Sequence, residues 1–274
     1  MTTLVCARGL RKSYMQHQGV FARAVRLRIL DRVELEIRPG TTLALVGESG
    51  SGKSTLARCL ARLERIDSGE IWFEGREVTS LRGEPLRLLR REIQVVFQDP
   101  ASALNPRFSV AEIVEEPLVI QGICSGRERR RRALDLMEQV GLPRVVSGRL
   151  PLELSGGQRQ RLAIARALAL EPKFLIFDEA LSGLDLSIQA QLINLLLDLQ
   201  ASRSLTYLFI SHDLGVVAGI ADDVAVLHQG KIVEKARAAD LFRGAQQPIA
   251  RSLLNSIPSV PWSLQNQEVF DHKQ

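Results

Sequence analysis

Residues 47–54 match the phosphate-binding pattern GxxxxGK[ST] at every fixed position, and no other stretch constrains the fold as strongly. An apolar run at 42–46 precedes the match and an amphipathic run follows it, which predicts a strand, a loop and a helix in that order. In such a loop, glycines let successive backbone N–H groups surround a phosphate at the N-terminus of a helix. The predicted phosphate loop consists of Gly47, Glu48, Ser49, Gly50, Ser51, Gly52, Lys53, Ser54 and Thr55.

A second apolar run, at 173–177, is followed by two adjacent acids, Asp178 and Glu179. The carboxyl ends of parallel strands form the ligand-binding edge of such sheets, so we expect both acids near the phosphate loop. There Lys53 would reach the β- and γ-phosphates, and Ser54 and Asp178 would hold Mg²⁺. Glu179 would act as general base towards the attacking water. Alone, the acid pair is a weak signal, because an acid that caps the next helix gives the same pattern.

The stretch 154–158 reads Leu-Ser-Gly-Gly-Gln and runs into a helical pattern that continues to about residue 170. A flexible linker is one interpretation of such a stretch. Because a helix follows it, Ser155 and the N–H groups of Gly156 and Gly157, next to Gln158, instead predict a second anion site at a helix N-terminus. One chain would then carry two phosphate-binding ends, which is explained if two chains face each other.

Taken in order, these motifs resemble the ATP-binding subunit of an ATP-binding cassette (ABC) transporter over about residues 4–243. The set also includes Gln98, the stretch 182–185 and His212. The resemblance implies ATP and Mg²⁺ as cofactors. It further implies a head-to-tail pair of subunits that closes ATP between the phosphate loop of one and the stretch 154–158 of the other.

The resemblance also implies roles for four residues that spacing alone does not explain. Gln98 would touch Mg²⁺ and the attacking water, and His212 would contact the γ-phosphate. Asp185 would communicate across the dimer, and Tyr14 would stack on adenine. His228, like His17 and His272, has no partner spacing and is interpreted as an ordinary surface or packing residue.

Two further stretches, 98–107 and 247–254, resemble the peptide/nickel/opine uptake branch of the family. That branch implies permease subunits in the membrane, an extracytoplasmic solute-binding protein and a second homologous ATP-binding subunit, more often a heterodimer than a homodimer. The chain would sit at the cytoplasmic face of the cell membrane and bind no specific nucleic acid. The stretch 178–182, with Ala180 where the family usually has Pro, is similar to the same stretch in nickel-import members. Gly183 also departs from the usual family pattern. Nickel, a metal–chelator complex and oligo- or dipeptides all stay open as solutes.

Net charge, cysteine count and hydrophobicity bear on the possible binding partners and cellular compartment of the chain. The chain has 274 residues and a net charge of +5, a mild excess compatible with nucleic acid, an anionic membrane surface or an arginine-rich composition. The densest basic run, 127–132, is interpreted as a solvated helix face. Three distant cysteines argue against a disulfide framework and for a reducing compartment, and no stretch reaches the ~20 apolar residues of a bilayer span.

The predicted fold is α/β: a P-loop NTPase core sheet with an antiparallel flank and an inserted helical subdomain at about 101–170. A C-terminal extension, 244–274, should contribute little core. Phe108 and Ile113 are expected to line a groove that receives a permease helix, unless they are simply core residues. The alternative function is a soluble ABC ATPase acting on DNA or ribosomes, a class that usually carries two cassettes or a long coiled coil. A nucleotide switch without turnover is disfavoured by Glu179 and His212.

Overall fold

The computed structural model describes residues 3–16, 25–99 and 103–255. The strands are β1 (Val5–Gln16), β2 (Val25–Ile37), β3 (Thr42–Val46), β4 (Ser68–Phe73), β5 (Arg76–Glu77), β6 (Ile93–Val96), β7 (Phe174–Asp178), β8 (Thr206–Ile210), β9 (Asp223–His228) and β10 (Lys231–Arg237). The helices are α1 (Lys53–Leu60), α2 (Gly83–Glu92), α3 (Val110–Ile120), α4 (Gly126–Gln139), α5 (Gly156–Leu168), α6 (Leu186–Arg203), α7 (Leu214–Ile220), α8 (Ala238–Gly244) and α9 (Pro248–Asn255). Two short 3₁₀ helices span Arg144–Val146 and Pro151–Glu153.

A six-stranded sheet forms the centre of the molecule, in the order β10-β9-β3-β8-β7-β6. All neighbours pair in parallel except β10, which pairs antiparallel with β9. Every residue of β3, β7 and β8 is buried, as expected for parallel strands covered on both faces. Because these strands run in one direction, their carboxyl ends deliver the phosphate loop, the Asp178–Glu179 pair and His212 to the same edge.

A second, antiparallel sheet in the order β2-β1-β4-β5 flanks the first and confirms the predicted α/β fold with an antiparallel flank. Helix α1 lies in the core between the two sheets. Leu10 and Leu30 from the antiparallel sheet, Leu56 from α1 and Leu208 from the central sheet belong to one buried cluster. Burial of this cluster fixes the start of α1, and hence the phosphate loop, against both sheets.

The helices α3, α4 and α5 form a compact unit between β6 and β7, where the helical subdomain was predicted. Ile113, Met137 and Leu162 are completely buried in its core. Ile113 therefore cannot line an open groove, and the expectation that it does is wrong. Phe108 is half-buried and packs against the same core. The exposed apolar side chains of α3 are instead Val119 and Ile120, at 55% and 65% exposure.

The C-terminal part differs from the expected extension with little core. Helices α8 and α9 bury Ala245 and Ala250 against Val217 and Val226. Ile249, Leu253 and Leu254 of α9 are partly buried and pack against the same cluster, so the helix docks through large apolar side chains as well as Ala250. Residues 256–274 lie outside the described ranges. In those ranges, no helix combines the length and apolar character needed to cross a bilayer.

Candidate active site

The phosphate loop connects β3 to α1 and depends on glycine at two close contacts. Gly47 has φ 152°, and a Cβ there would lie 2.1 Å from the carbonyl O of Leu227. Gly52 has φ 107°, and a Cβ there would lie 2.9 Å from the carbonyl O of Ile29. A side chain at either position would force the backbone of a neighbouring strand to move. These glycines therefore allow the loop to fit between β9 and β2, in addition to leaving room for a phosphate.

Lys53 lies folded back onto the phosphate loop. Its Nζ donates hydrogen bonds to the carbonyl O atoms of Gly47 (2.8 Å) and Glu48 (2.9 Å). Burial lowers the pKa of Lys53, while the nearby carboxylates of Glu179 and Asp178 act in the opposite direction. The Oγ of Ser51 is buried and has no hydrogen-bond partner among the described residues. A bound phosphate would supply acceptors for both the lysine and this hydroxyl, so the loop fits the anion that its sequence predicts.

Ser54 and Asp178 meet at the predicted magnesium position. The Oγ of Ser54 donates a hydrogen bond of 2.8 Å to Oδ1 of Asp178. Burial raises the pKa of Asp178, the Ser54 hydrogen bond opposes that change, and the adjacent Glu179 raises the pKa further. A hydroxyl and a carboxylate oxygen are hard ligands of the kind that Mg²⁺ prefers, and one or two such protein ligands are usual beside substrate phosphates. The residues present fit this ion.

Glu179 and His212 face each other beyond the ends of β7 and β8. The Nδ1 of His212 lies 3.5 Å from Oε2 of Glu179, with side-chain exposures of 64% and 23%. Glu179 has φ 52°, and its N–H donates to the carbonyl O of Ile210 on the neighbouring strand. Ser182 donates to the carbonyl O of Glu179 through its backbone and its hydroxyl. These hydrogen bonds hold Glu179 in a left-handed backbone conformation, which turns its carboxylate away from β7 and towards the exposed edge of the central sheet.

The stretch 154–158 begins helix α5, as predicted. Ser155 is its N-cap: its Oγ accepts from the N–H of Gln158, and the Oε1 of Gln158 accepts from the N–H of Ser155. This reciprocal capping box leaves the remaining N–H groups of the first turn directed at the open end of the helix. Asp185 caps α6 in a similar way by accepting from the N–H of Ile188 (2.9 Å). A Cβ on Gly157 would lie 2.8 Å from the Ile188 side chain, so the two helix starts pack together.

Tyr14 and Gln98 occupy different borders of the site. Tyr14 lies on β1 opposite Leu27, is 36% exposed, and has the Nζ of Lys12 at 4.8 Å from its ring centroid. Gln98 follows β6 at the same edge of the sheet as Asp178 and has an exposed side chain. Both positions stay predictions as nucleotide contacts.

The structure brings His228, which the sequence pattern predicts to be an ordinary surface or packing residue, next to the phosphate loop. It ends β9, and its Nδ1 lies 3.8 Å from Oε2 of Glu48 in the phosphate loop. The parallel pairing of β9 with β3 explains this position, since both strands end at the loop. The runs 224–227 and 231–234, on either side of residues 228–230, predict a hairpin, but no local pattern identifies the other strand with which β9 pairs. His17 and His272 lie outside the described residues.

Comparisons with known proteins agree with this geometry. Residues 30–182 match the family model described as ABC transporter. The dipeptide transport ATP-binding protein DppF of Haemophilus influenzae is 43% identical over 268 residues, which cover 98% of this chain and 82% of the relative. A Brucella ovis protein named as a peptide import ATP-binding protein is 49% identical over 258 residues, or 94% of this chain and 80% of that one.

Among solved structures, a dimeric post-hydrolysis ATP-binding cassette bound to ADP and phosphate superimposes with a TM-score of 0.76. It is 30% identical, and the match covers 86% of this chain and 99% of the cassette. These matches confirm the resemblance drawn from the motifs and give no support to the alternative of a DNA- or ribosome-acting ATPase. The chain belongs to the ABC transporter family, in which it is an ATP-binding and ATP-hydrolysing subunit.

Proposed function

We propose that this chain drives the uptake of dipeptides or oligopeptides as the ATPase subunit of an importer. The observation that carries the proposal is the similarity, along 94–98% of the chain, to relatives named for dipeptide transport and peptide import. The same relatives do not specifically support nickel as the solute, which the stretch around Ala180 suggested. Peptides therefore replace nickel as the preferred solute.

The proposed chemistry is attack by water on the γ-phosphate of ATP. Glu179 accepts a proton from that water, a new P–O bond forms to its oxygen, and the bond to the β-phosphate oxygen breaks, giving ADP and phosphate. His212, whose Nδ1 lies 3.5 Å from Oε2 of Glu179, would hold the γ-phosphate in line with the attacking water. Ser54, Asp178 and Gln98 would hold Mg²⁺, which supplies positive charge that stabilises the phosphates. Lys53 exchanges its loop carbonyls for phosphate oxygens when ATP binds.

The two proposed anion-binding ends support a second ATP-binding subunit as a partner. The phosphate loop and the Ser155 end of α5 would each take one face of a nucleotide, the second face coming from another ATP-binding subunit. In the proposed assembly that subunit is a homologous, distinct chain, and Asp185 lies at the contact between the two. Permease subunits hold the pair at the cytoplasmic face of the cell membrane, and a solute-binding protein delivers peptide on the other side. Tyr14 stacks on adenine.

Uptake by a strain that lacks this gene tests the function directly. Labelled dipeptides, labelled oligopeptides and labelled nickel are supplied to the strain carrying the native gene, Glu179→Gln or Lys53→Ala. We expect native protein to restore peptide uptake and both variants to fail. The purified variants should differ: Glu179→Gln keeps ATP affinity while hydrolysis falls by about a hundredfold or more, as for loss of a general base, whereas Lys53→Ala loses affinity.

Arg144→Gln is the matched control for these variants, because Arg144 pairs with Asp135 and Glu138 on the helical subdomain, away from the nucleotide site. Its uptake should equal that of the native protein. Restoration of nickel uptake without peptide uptake would contradict the solute. Near-normal turnover by Glu179→Gln would contradict the catalytic assignment.

A further inference from the structure

The turn between β9 and β10, residues 228–230, packs against the phosphate loop through its backbone. The N–H of Gly230 donates to the carbonyl O of Ser51 at 3.1 Å. The carbonyl of Leu227, one residue before the turn, occupies the space that a side chain at Gly47 would need. The turn therefore touches the phosphate loop near its start and near its middle, and a shift of the turn would shift the loop.

The same turn also contacts β2, the partner strand of β1 and its Tyr14. The N–H of Asp31 donates to the carbonyl O of Gly230 at 2.9 Å, and the Nζ of Lys231 lies 3.4 Å from Oδ2 of Asp31. Gly230 has φ 76°, and a Cβ there would lie 2.3 Å from the carbonyl O of Ile29. A continuous backbone connection thus runs from Ser51 through Gly230 to β2. It determines the position of the phosphate loop relative to the paired strands β1 and β2, and therefore relative to Tyr14 on β1.

His228 brings a polar side chain to this junction without a matching hydrogen bond. Its Nδ1 is buried and has no hydrogen-bond partner within the described ranges. The nearest carboxylate oxygen is Oε2 of Glu48, at 3.8 Å, with side-chain exposures of 22% for His228 and 62% for Glu48. That distance is long for a hydrogen bond but allows electrostatic attraction. A small rotation of the exposed Glu48 side chain would bring its carboxylate within hydrogen-bond distance of the His228 imidazole.

The position of the Glu48 carboxylate matters because it belongs to a loop that receives phosphates. A free carboxylate beside the β- and γ-phosphates would repel them, and the cost would rise as water leaves the site. The carbonyl O of Glu48 also accepts a bond from Lys53, so movement of this residue reaches the lysine. A neighbour that keeps the carboxylate turned away from the phosphates would favour nucleotide binding.

We infer that His228 is a positioning residue for ATP binding: its imidazole holds the Glu48 carboxylate away from the phosphates while the turn fixes the loop. This inference rests on the proposed nucleotide site. It assigns His228 no contact with the reacting atoms. Its effect should therefore appear in affinity for ATP and in KM, with little change in kcat.

The test measures equilibrium Mg-ATP binding for the purified full-length chain and its variants, and steady-state hydrolysis for the same proteins together with the partner ATPase. His228→Ala should weaken ATP binding by about three- to fivefold, as expected for a partly exposed polar pair, with kcat changed by less than about twofold. Glu48→Gln removes the repelling charge. In the double variant Glu48→Gln/His228→Ala, affinity should return to within about twofold of the native value, since the charge that His228 restrains is gone.

Two further variants separate positioning from packing. His228→Gln keeps a donor at this place and should retain affinity better than His228→Ala. Gln229→Asn, in the same turn, is the matched control: the Gln229 side chain is exposed, and Asn tolerates its φ of 45°. It should bind ATP like the native protein, and thermal unfolding should show that all variants fold.

The inference is overturned if His228→Ala binds ATP normally, or if the double variant binds as weakly as His228→Ala alone, which would make His228 a packing residue only. Lys53→Ala serves to separate this outcome from failure of the nucleotide site. If Lys53→Ala kept its full ATP affinity, the proposed site itself would be wrong, whatever the His228 variants did.

Discussion

At the scale of single residues, Cys59 reports on the packing of the helix that follows the phosphate loop. It lies on α1 with no exposed surface, and burial raises the pKa of its thiol to about 12. Only the thiolate reacts with alkylating reagents, and a thiol with a raised pKa stays protonated until the pH approaches that value. We expect Cys59 to resist iodoacetamide between about pH 7 and pH 9 in the folded protein and to react after unfolding.

The measurement is peptide mass spectrometry after a short labelling pulse, with Cys124 as the internal control. Cys124 is partly exposed, follows the end of α3 and should be labelled first. If Cys59 were labelled as fast as Cys124, α1 would undergo frequent local unfolding, and the prediction that Cys59 is protected would be wrong. ATP should slow the labelling of Cys59 further, because a ligand that binds only the folded site stabilises it.

The sequence predicted the residues that stand next to each other within the phosphate loop and within the acid pair. Lys53 and Ser54 follow β3 and its loop, whereas Asp178 and Glu179 stand at the end of β7, and both strands are recognisable from their apolar runs. The contact of His228 with Glu48 could not be predicted this way. It joins residues 180 positions apart through the pairing of β9 with β3, and no local pattern specifies which strands become neighbours.

At the scale of secondary structure, helix α3 offers a matched pair of isoleucines. Ile113 is completely buried, whereas Ile120 at the end of the helix is 65% exposed. We expect Ile113→Ala to lower the free energy of unfolding by about 2–5 kcal/mol, because it leaves a cavity in the subdomain core. Ile120→Ala should change it by less than about 0.5 kcal/mol. Chemical denaturation of the isolated chain measures both.

The same pair tests where a permease would bind. Ile120 and the neighbouring Val119 are the exposed apolar residues of α3, and such residues side by side favour a protein contact. We expect Ile120→Ala to reduce co-purification with the permease at unchanged stability. Equal co-purification of native and Ile120→Ala protein would place the contact elsewhere on the subdomain.

Elements buried on both faces were predicted most closely. The run 42–46 coincides with the bounds of β3, and the run 173–177 matches those of β7 to within one residue at each end, because a fully buried parallel strand is an uninterrupted apolar run between turns. The docking of α9 was not predicted. The helix has only eight residues, which gives a short periodic pattern, and its position depends on the surface formed by residues such as Val217. The position of such a helix is determined by the residues against which it packs and cannot be predicted from its own sequence pattern.

At the scale of the whole molecule, Leu186 lies on the surface where the proposed second ATP-binding subunit would pack. Leu186 begins α6 between Leu184 and Ile188, two residues whose side chains lie beside Gly156 and Gly157. Leu186 itself is 80% exposed. A large apolar side chain so exposed next to the Ser155 end of α5 favours burial against another chain.

We expect Leu186→Asp to weaken ATP-dependent pairing while leaving ATP binding to the single chain unchanged. The Glu179→Gln background should be used, because it keeps ATP from being hydrolysed and so preserves the closed pair. Size-exclusion chromatography with Mg-ATP, in the presence of the partner ATPase, measures the pairing. Ile120→Asp is the control, since Ile120 is also apolar and exposed but lies on the helical subdomain at the end of α3. If both aspartates weakened pairing equally, added charge alone would explain the loss. If neither did, the subunit contact would lie away from the start of α6.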